Sequence, residues 1–217
     1  MKNCFFVLLV FLFPQFLHAQ APPLAEWVVQ TQGGNSYSKP LDITIDQNGN
    51  LVTVGIFSGG TDFDPGPGVY SESSNGSTTA YIQKLSASGT FEWVVPIIPV
   101  TAATGKCTPK AVKTDAAGNV YMTGVSDGNL DYAAGTATQI VLGTYTNDDI
   151  CVAKYDSAGN SLWAFRIGEW QHMESVNDIA VDANGNVYVT GTFDYIVDFN
   201  PDLNAAYVLT ATGSTYD

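Results

Sequence analysis

The residues best suited to chemistry in this chain sit in one short stretch, Glu169-Trp170-Gln171-His172-Met173-Glu174. An imidazole close to a carboxylate can pass a proton, so His172 with Glu174 could work as an acid–base pair. The indole of Trp170 could lie against a sugar ring or a peptide. No orienting partner accompanies His172, and the chain has no phosphate-binding glycine loop. A histidine on a surface loop explains the stretch without any reaction. Trp170, His172 and Glu174 therefore stand as candidate ligand-binding residues, and no residue is assigned a catalytic role.

Carboxylates offer a second chemistry. Asp62-Phe63, Asp131-Tyr132 and Asp198-Phe199 each pair an acid with an aromatic, and Asp64-Pro65-Gly66 follows the first. Oxygens gathered on a turn could hold Ca²⁺, which takes six to eight of them, and Asp62 with Asp64 would supply the first two. The competing reading is that each Asp caps a turn while the aromatic behind it plugs a gap. Recurrence favours the cap, since Tyr132 is followed only by Ala133. Ca²⁺ is the one cofactor left open. The loops at Asp46 and Asp182 (Asp-x-Asn-Gly-Asn) superficially suggest a calcium-binding EF-hand, but that motif needs Gly at its sixth position. Here Gly is fourth, between two strands, which is hairpin-turn chemistry.

Those turns belong to a repeat. Asp46-Gln47-Asn48-Gly49-Asn50 leads into Leu51-Val52-Thr53-Val54-Gly55. Asp115-Ala116-Ala117-Gly118-Asn119 leads into Val120-Tyr121-Met122-Thr123-Gly124, and Asp182-Ala183-Asn184-Gly185-Asn186 into Val187-Tyr188-Val189-Thr190-Gly191. The aspartates are 69 and 67 residues apart, and Trp27, Trp93 and Trp163 keep step at 66 and 70. Self-similarity at such a period marks a repeat architecture.

Each copy reads as strands. Ile43-Thr44-Ile45 and Leu51 to Val54 alternate and are rich in β-branched residues. A third run follows a variable loop (Ala80 to Leu85, Ile150 to Tyr155), and a further tight turn leads to Phe91 to Val95 or Leu162 to Phe165. No 3.6-residue periodicity is sustained. One repeat is thus four short antiparallel strands with two apolar faces, and stacking such sheets around an axis covers both. The expected fold is an all-β propeller with blades at 41–96 and 109–168 and a partial blade at 177–217. A Greek-key sandwich is the rival, but it does not call for this self-similarity. Residues 26–30, around Trp27, match a fourth strand with no first strand before it, as when an outer strand closes the last blade. Because propellers have typically four to eight blades, the chain reads as an open arc.

Met1-Lys2-Asn3, the apolar run from Cys4 to Leu12 and the small residue Ala19 have the order of a secretory signal peptide over residues 1–19. The apolar run is too short to span a bilayer. The net charge is −13, and −14 once Lys2 is lost. That balance argues against nucleic acid and anionic membranes as partners. Cys107 and Cys151, the two cysteines left after processing, fit no disulfide framework or zinc pattern. With Cys107 in the loop before the first strand of the second copy and Cys151 in its third strand, they stand about two strand steps apart and are expected to stay unbridged.

Val152-Ala153-Lys154-Tyr155-Asp156-Ser157-Ala158-Gly159-Asn160-Ser161-Leu162-Trp163-Ala164 and the run from Asp182 to Gly191 resemble the SBBP beta-propeller repeat family, and more distantly NHL-type blades. The resemblance implies a seven-bladed, exported or cell-surface bacterial protein without assigned chemistry. Copy two departs from it, with Ser126-Asp127-Gly128 where Ile56-Phe57 and Thr192-Phe193 stand in the others, so looser packing is expected there. The function that follows is a non-catalytic binding or scaffolding module for an extracellular protein or glycan. A secreted lyase or carbohydrate-active hydrolase, with its site on the loop face, is the alternative.

Overall fold

The computed structural model describes residues 27–31, 37–74, 78–100, 105–136, 138–143, 148–169, 174–202 and 205–212. All regular structure within them is β. The first unit contains β1 (Tyr37–Ile45), β2 (Leu51–Ser58), a small hairpin of β3 (Gly60–Asp62) and β4 (Ser71–Ser73), then β5 (Thr79–Leu85) and β6 (Phe91–Pro99). The second repeats it with β7 (Lys106–Thr114), β8 (Val120–Asp127), β9 (Leu130–Asp131), β10 (Val141–Leu142), β11 (Asp149–Tyr155) and β12 (Ser161–Ile167). The third holds β13 (Ser175–Val181), β14 (Val187–Thr192), β15 (Ile196–Asp198) and β16 (Val208–Thr210).

Pairing is antiparallel throughout, in the order β1-β2-β5-β6 for blade 1 and β7-β8-β11-β12 for blade 2. Strands β1, β7 and β13 pack side by side across the blade boundaries, so they form the inner edge, and β6 and β12 the rim. Trp93 and Trp163 therefore sit on the rim strands.

Blade 2 is covered on both faces. Val52, Val54, Ala80, Ile82, Val95 and Ile97 on blade 1 meet Val112, Val120, Met122, Cys151 and Ala153 on blade 2 in one core. Tyr121, Ile150 and Val152, on the opposite face of blade 2, meet Val176 and Ile179 of blade 3. Accordingly β5 is buried along its whole length and β11 at every position but Lys154, polar residues included. Polar contacts cross the same boundary: Asp42 Oδ2 accepts the amide of Val112 at 2.8 Å, and Thr114 Oγ1 donates to Ile45 O at 3.3 Å.

Several expectations need correction. The first strands begin at Tyr37, Lys106 and Ser175, two to four residues earlier than residues 41, 109 and 177, because each continues past a bulge at Leu41, Lys110 or Asn177. Residues 27–31 are not in a strand. The variable loop after each second strand holds a hairpin. In blade 2 that hairpin crosses the boundary: β9 pairs with Ile98 and Pro99 at the end of β6, extending the blade 1 sheet to six strands. Nor is blade 2 loose at Ser126. Ser126, Tyr132, Cys107 and Cys151 are all buried, filling the place that Phe57, Phe63 and Tyr81 fill in blade 1.

Candidate functional site

The repeated carboxylates are occupied by their own backbone. Asp46 Oδ1 accepts the amides of Asn48 and Asn50 at 2.8 and 2.9 Å, and Asn50 Nδ2 donates to Oδ2 at 2.9 Å. Asp115 with Asn119, Asp156 with Asn160 and Asp182 with Asn186 reproduce the three bonds. Partial burial pushes the carboxyls of Asp46, Asp115 and Asp156 up, but the Asn side chains and turn amides outweigh it and hold them below the usual carboxylate range. At Asp182 the Asn186 side chain does most of this. The turn requires the left-handed backbone of Gly49, Gly118, Gly159 and Gly185, where φ is 78–87°.

Gly55, Gly124 and Gly191 recur for another reason. A Cβ there would run into the backbone oxygen of Lys39, Thr108 or Ser175 on the adjoining inner strand. Trp163 packs on Phe165 with ring centroids 5.4 Å apart, and Trp93 reaches into the next blade.

Asp62, Asp131 and Asp198 each tie the two ends of a hairpin loop. Asp62 Oδ1 accepts the amides of Asp64 and Tyr70 at 3.0 and 2.8 Å; Asp131 serves Ala133 and Ile140, and Asp198 serves Asn200 and Tyr207. Phe63 and Tyr132 are fully buried behind them. Asp64 Oδ1 accepts the Gly66 amide at 2.8 Å. Among the described residues no group of three or more His, Cys, Asp or Glu is arranged to hold a metal ion.

Trp170 and His172 lie outside the described residues. Glu174 lies within them, and it is enclosed: 2% exposed, at the entry to β13. Its amide donates to Asp148 O at 3.0 Å. Its carboxyl lies within hydrogen-bonding reach of the carboxyl of Asp149, which opens β11 and is wholly buried. Arg166 Nε on β12 stands 3.0 Å from Asp149 Oδ2. No fixed N–H or O–H of the described residues donates to either Glu174 oxygen.

Two carboxyls meeting in this way must share a proton. Burial, reinforced by the negative charges of Asp149 and Asp194, pushes the Glu174 carboxyl up to about 8. Burial also raises Asp149, to about 6, with the Arg166 guanidinium pulling the other way.

The frame and the enclosed pair together set the terms for comparison with known proteins. Residues 168–192 match the SBBP beta-propeller repeat family. The SBBP match starts at Gly168, takes in Glu174 and ends with β14. A second likeness is to the uncharacterized WD repeat-containing protein L264 of Acanthamoeba polyphaga mimivirus, 25% identical over 160 residues. That alignment covers 70% of this chain and 11% of the viral protein, so the chain spans about a tenth of the length of this relative.

Against the preceding repeat of this chain, Asp149, Arg166 and Glu174 are departures. The matching positions in the preceding repeat are Thr79, Pro96 and Cys107. Repeat architecture thus accounts for Asp46, Asp115 and Asp182 but not for this cluster. Sequence reasoning singled out Glu174 and missed its partners. A signal existed, because Arg166 is the only arginine in the chain.

Gly124-Val125-Ser126-Asp127-Gly128 has the spacing of a hydrolase nucleophile elbow, which needs a sharp strand-to-helix turn. Here Gly124 to Asp127 lie inside β8, and Ser126 is buried beside Tyr132 and Cys151. The string is coincidental.

Proposed function

We propose that this chain is an exported, non-catalytic binding or scaffolding module, part of a ring of about seven blades, that takes an extracellular protein or glycan. One observation carries the reading: among the described residues the repeated acids are committed to backbone amides, and the Asp149–Glu174 carboxyl pair is closed to solvent. A rigid stack with such a frame suits presentation of loops, where binding residues concentrate. The SBBP match and the distant likeness to a WD repeat-containing protein support a repeat-built binding surface. Export rests on the signal-like residues 1–19. Among the described residues no helix is long and apolar enough to cross a membrane.

The hydrolase alternative has a specific difficulty. Glycosidase carboxyls stand roughly 5–9.5 Å apart, to admit a sugar and a water. Asp149 and Glu174 lie within hydrogen-bonding reach of each other, and neither is exposed.

An array of extracellular polysaccharides and glycoproteins tests the choice, probed with the secreted chain and with Trp170→Ala. Retention of an unaltered ligand, weakened in the variant, is the expected result. Release of shortened or unsaturated sugar products, abolished by Glu174→Gln, would instead establish the enzyme.

A further inference from the structure

The joint between blades 2 and 3 is built differently from the one before it. Where blade 2 presents Cys107 to blade 1, blade 3 presents Glu174; where blade 1 has Thr79, blade 2 has Asp149. Glu174 enters the inner strand of blade 3 and Asp149 opens the third strand of blade 2, so their contact spans the boundary. Behind them the joint is only partly filled: Ile150, Phe165, Ile167, Val187 and Val189 line an open hollow between the two sheets. The far edge of β14 has no strand beside it among the described residues. The hairpin β13–β14 is held to blade 2 by the core around Val176 and Ile179 and by the Lys113–Asp178 ion pair at 3.3 Å, with the carboxyl pair at the entry to β13.

Surrounding charge makes the pair sensitive to protonation. Arg166 faces it from β12, Asp148 from just before β11, Glu169 from the residues after β12, and Asp194 from those after β14. Lys106 on β7 is engaged with Asp127 and Asp148 at 3.7 and 3.4 Å. One guanidinium thus meets five carboxyls. With a proton between them, one carboxyl donates to the other; without it, two buried carboxylates face each other.

We propose that Asp149 and Glu174 form a proton-dependent latch, which holds β13–β14 against blade 2 while they share a proton and loosens that hairpin when the proton leaves. The raised Glu174 carboxyl, near 8, sets the release on the alkaline side of neutrality. The inference does not depend on what the module binds.

Hydrogen exchange on the full chain, read by mass spectrometry at pH 6 and pH 9 and corrected for intrinsic rates, tests it. Protection in peptides covering 175–192 should fall at least about tenfold at pH 9, one tenfold step for each pH unit of linkage. Peptides covering 106–127 should hold. Glu174→Gln should keep its protection at both pH values. Loss of the same size in Glu174→Gln overturns the proposal. Should that variant not fold, equal protection of 175–192 at both pH values in the unaltered chain overturns it alone.

Discussion

The indole Nε1 of Trp93 donates to the carbonyl oxygen of Ser157 at 3.1 Å, and its ring lies against Gly159 in the same turn. Trp27 repeats this one blade earlier, donating to Ala87 O at 3.1 Å over Gly89. Trp93 therefore fastens its own sheet to the third-to-fourth-strand turn of the next, and Trp27, outside any strand, reaches the same turn of blade 1. Trp93→Ala should lower the unfolding free energy by about 2–3 kcal/mol for this half-buried ring. Trp93→Phe, which keeps much of the ring but loses the donor, should cost about 1 kcal/mol. Urea denaturation measures both, and equal losses would mean that ring packing contributes little.

Gly124 has no room for a methyl group. A Cβ would press on the Thr108 carbonyl and Pro109 Cα, which are backbone and cannot step aside. Gly124→Ala should cost about 2–3 kcal/mol by overpacking. Gly60→Ala, where a Cβ meets open space, should change stability by less than about 0.5 kcal/mol. Thermal unfolding of the two variants makes the comparison.

Stability should peak in mildly acidic solution. The depressed carboxyls of Asp46, Asp115, Asp156 and Asp182 add stability above their ordinary value of 3.8, lost as pH falls through their folded values. Asp149 and Glu174 run the other way: folded values near 6 and 8 against ordinary values of 3.8 and 4.5. Their contribution is complete below about 4 and drains away as pH rises to 8. The midpoint of thermal unfolding should be higher at pH 5 than at pH 3 or pH 9, and Glu174→Gln should flatten only the alkaline side.

Cys107 and Cys151 put their sulfurs 3.8 Å apart although β8 lies between their strands. Cys107 lies on β7, not in a loop, and the small Ser126 beside it leaves space for both thiols. Sulfur contact across an intervening strand still leaves the Cα atoms farther apart than the roughly 7 Å a disulfide allows. Thiol titration of the oxidised, signal-free protein in denaturant should find both thiols free; a count of zero would show the bridge.

What was legible in the chain was what is local. Asp46 closes on Asn48 and Asn50, so its turn can be read from five residues, and Trp93 marks the rim by its spacing. The hairpins β3–β4 and β9–β10 are not legible. Strands of two or three residues carry no periodicity, and β9 takes its partner, Pro99, from another blade. Asp149 escaped for a similar reason: it meets Glu174 only after the chain has gone up one strand, down the next and across a boundary. Trp27 was recognisable from its spacing, yet residues 27–31 are not in a strand.

Face-to-face stacking of successive sheets, with Trp93 of blade 1 over the Gly159 turn of blade 2 and Trp27 over the Gly89 turn of blade 1, is the central claim. Proton NMR of the glycine Hα atoms tests it most directly, because an aromatic ring in contact shifts a proton lying over its face strongly upfield. One Hα of Gly159 should be displaced upfield and return to an ordinary position in Trp93→Leu, while the Gly89 Hα responds only to Trp27→Leu. A Gly159 Hα at an ordinary shift, indifferent to Trp93, would contradict the stacked arrangement.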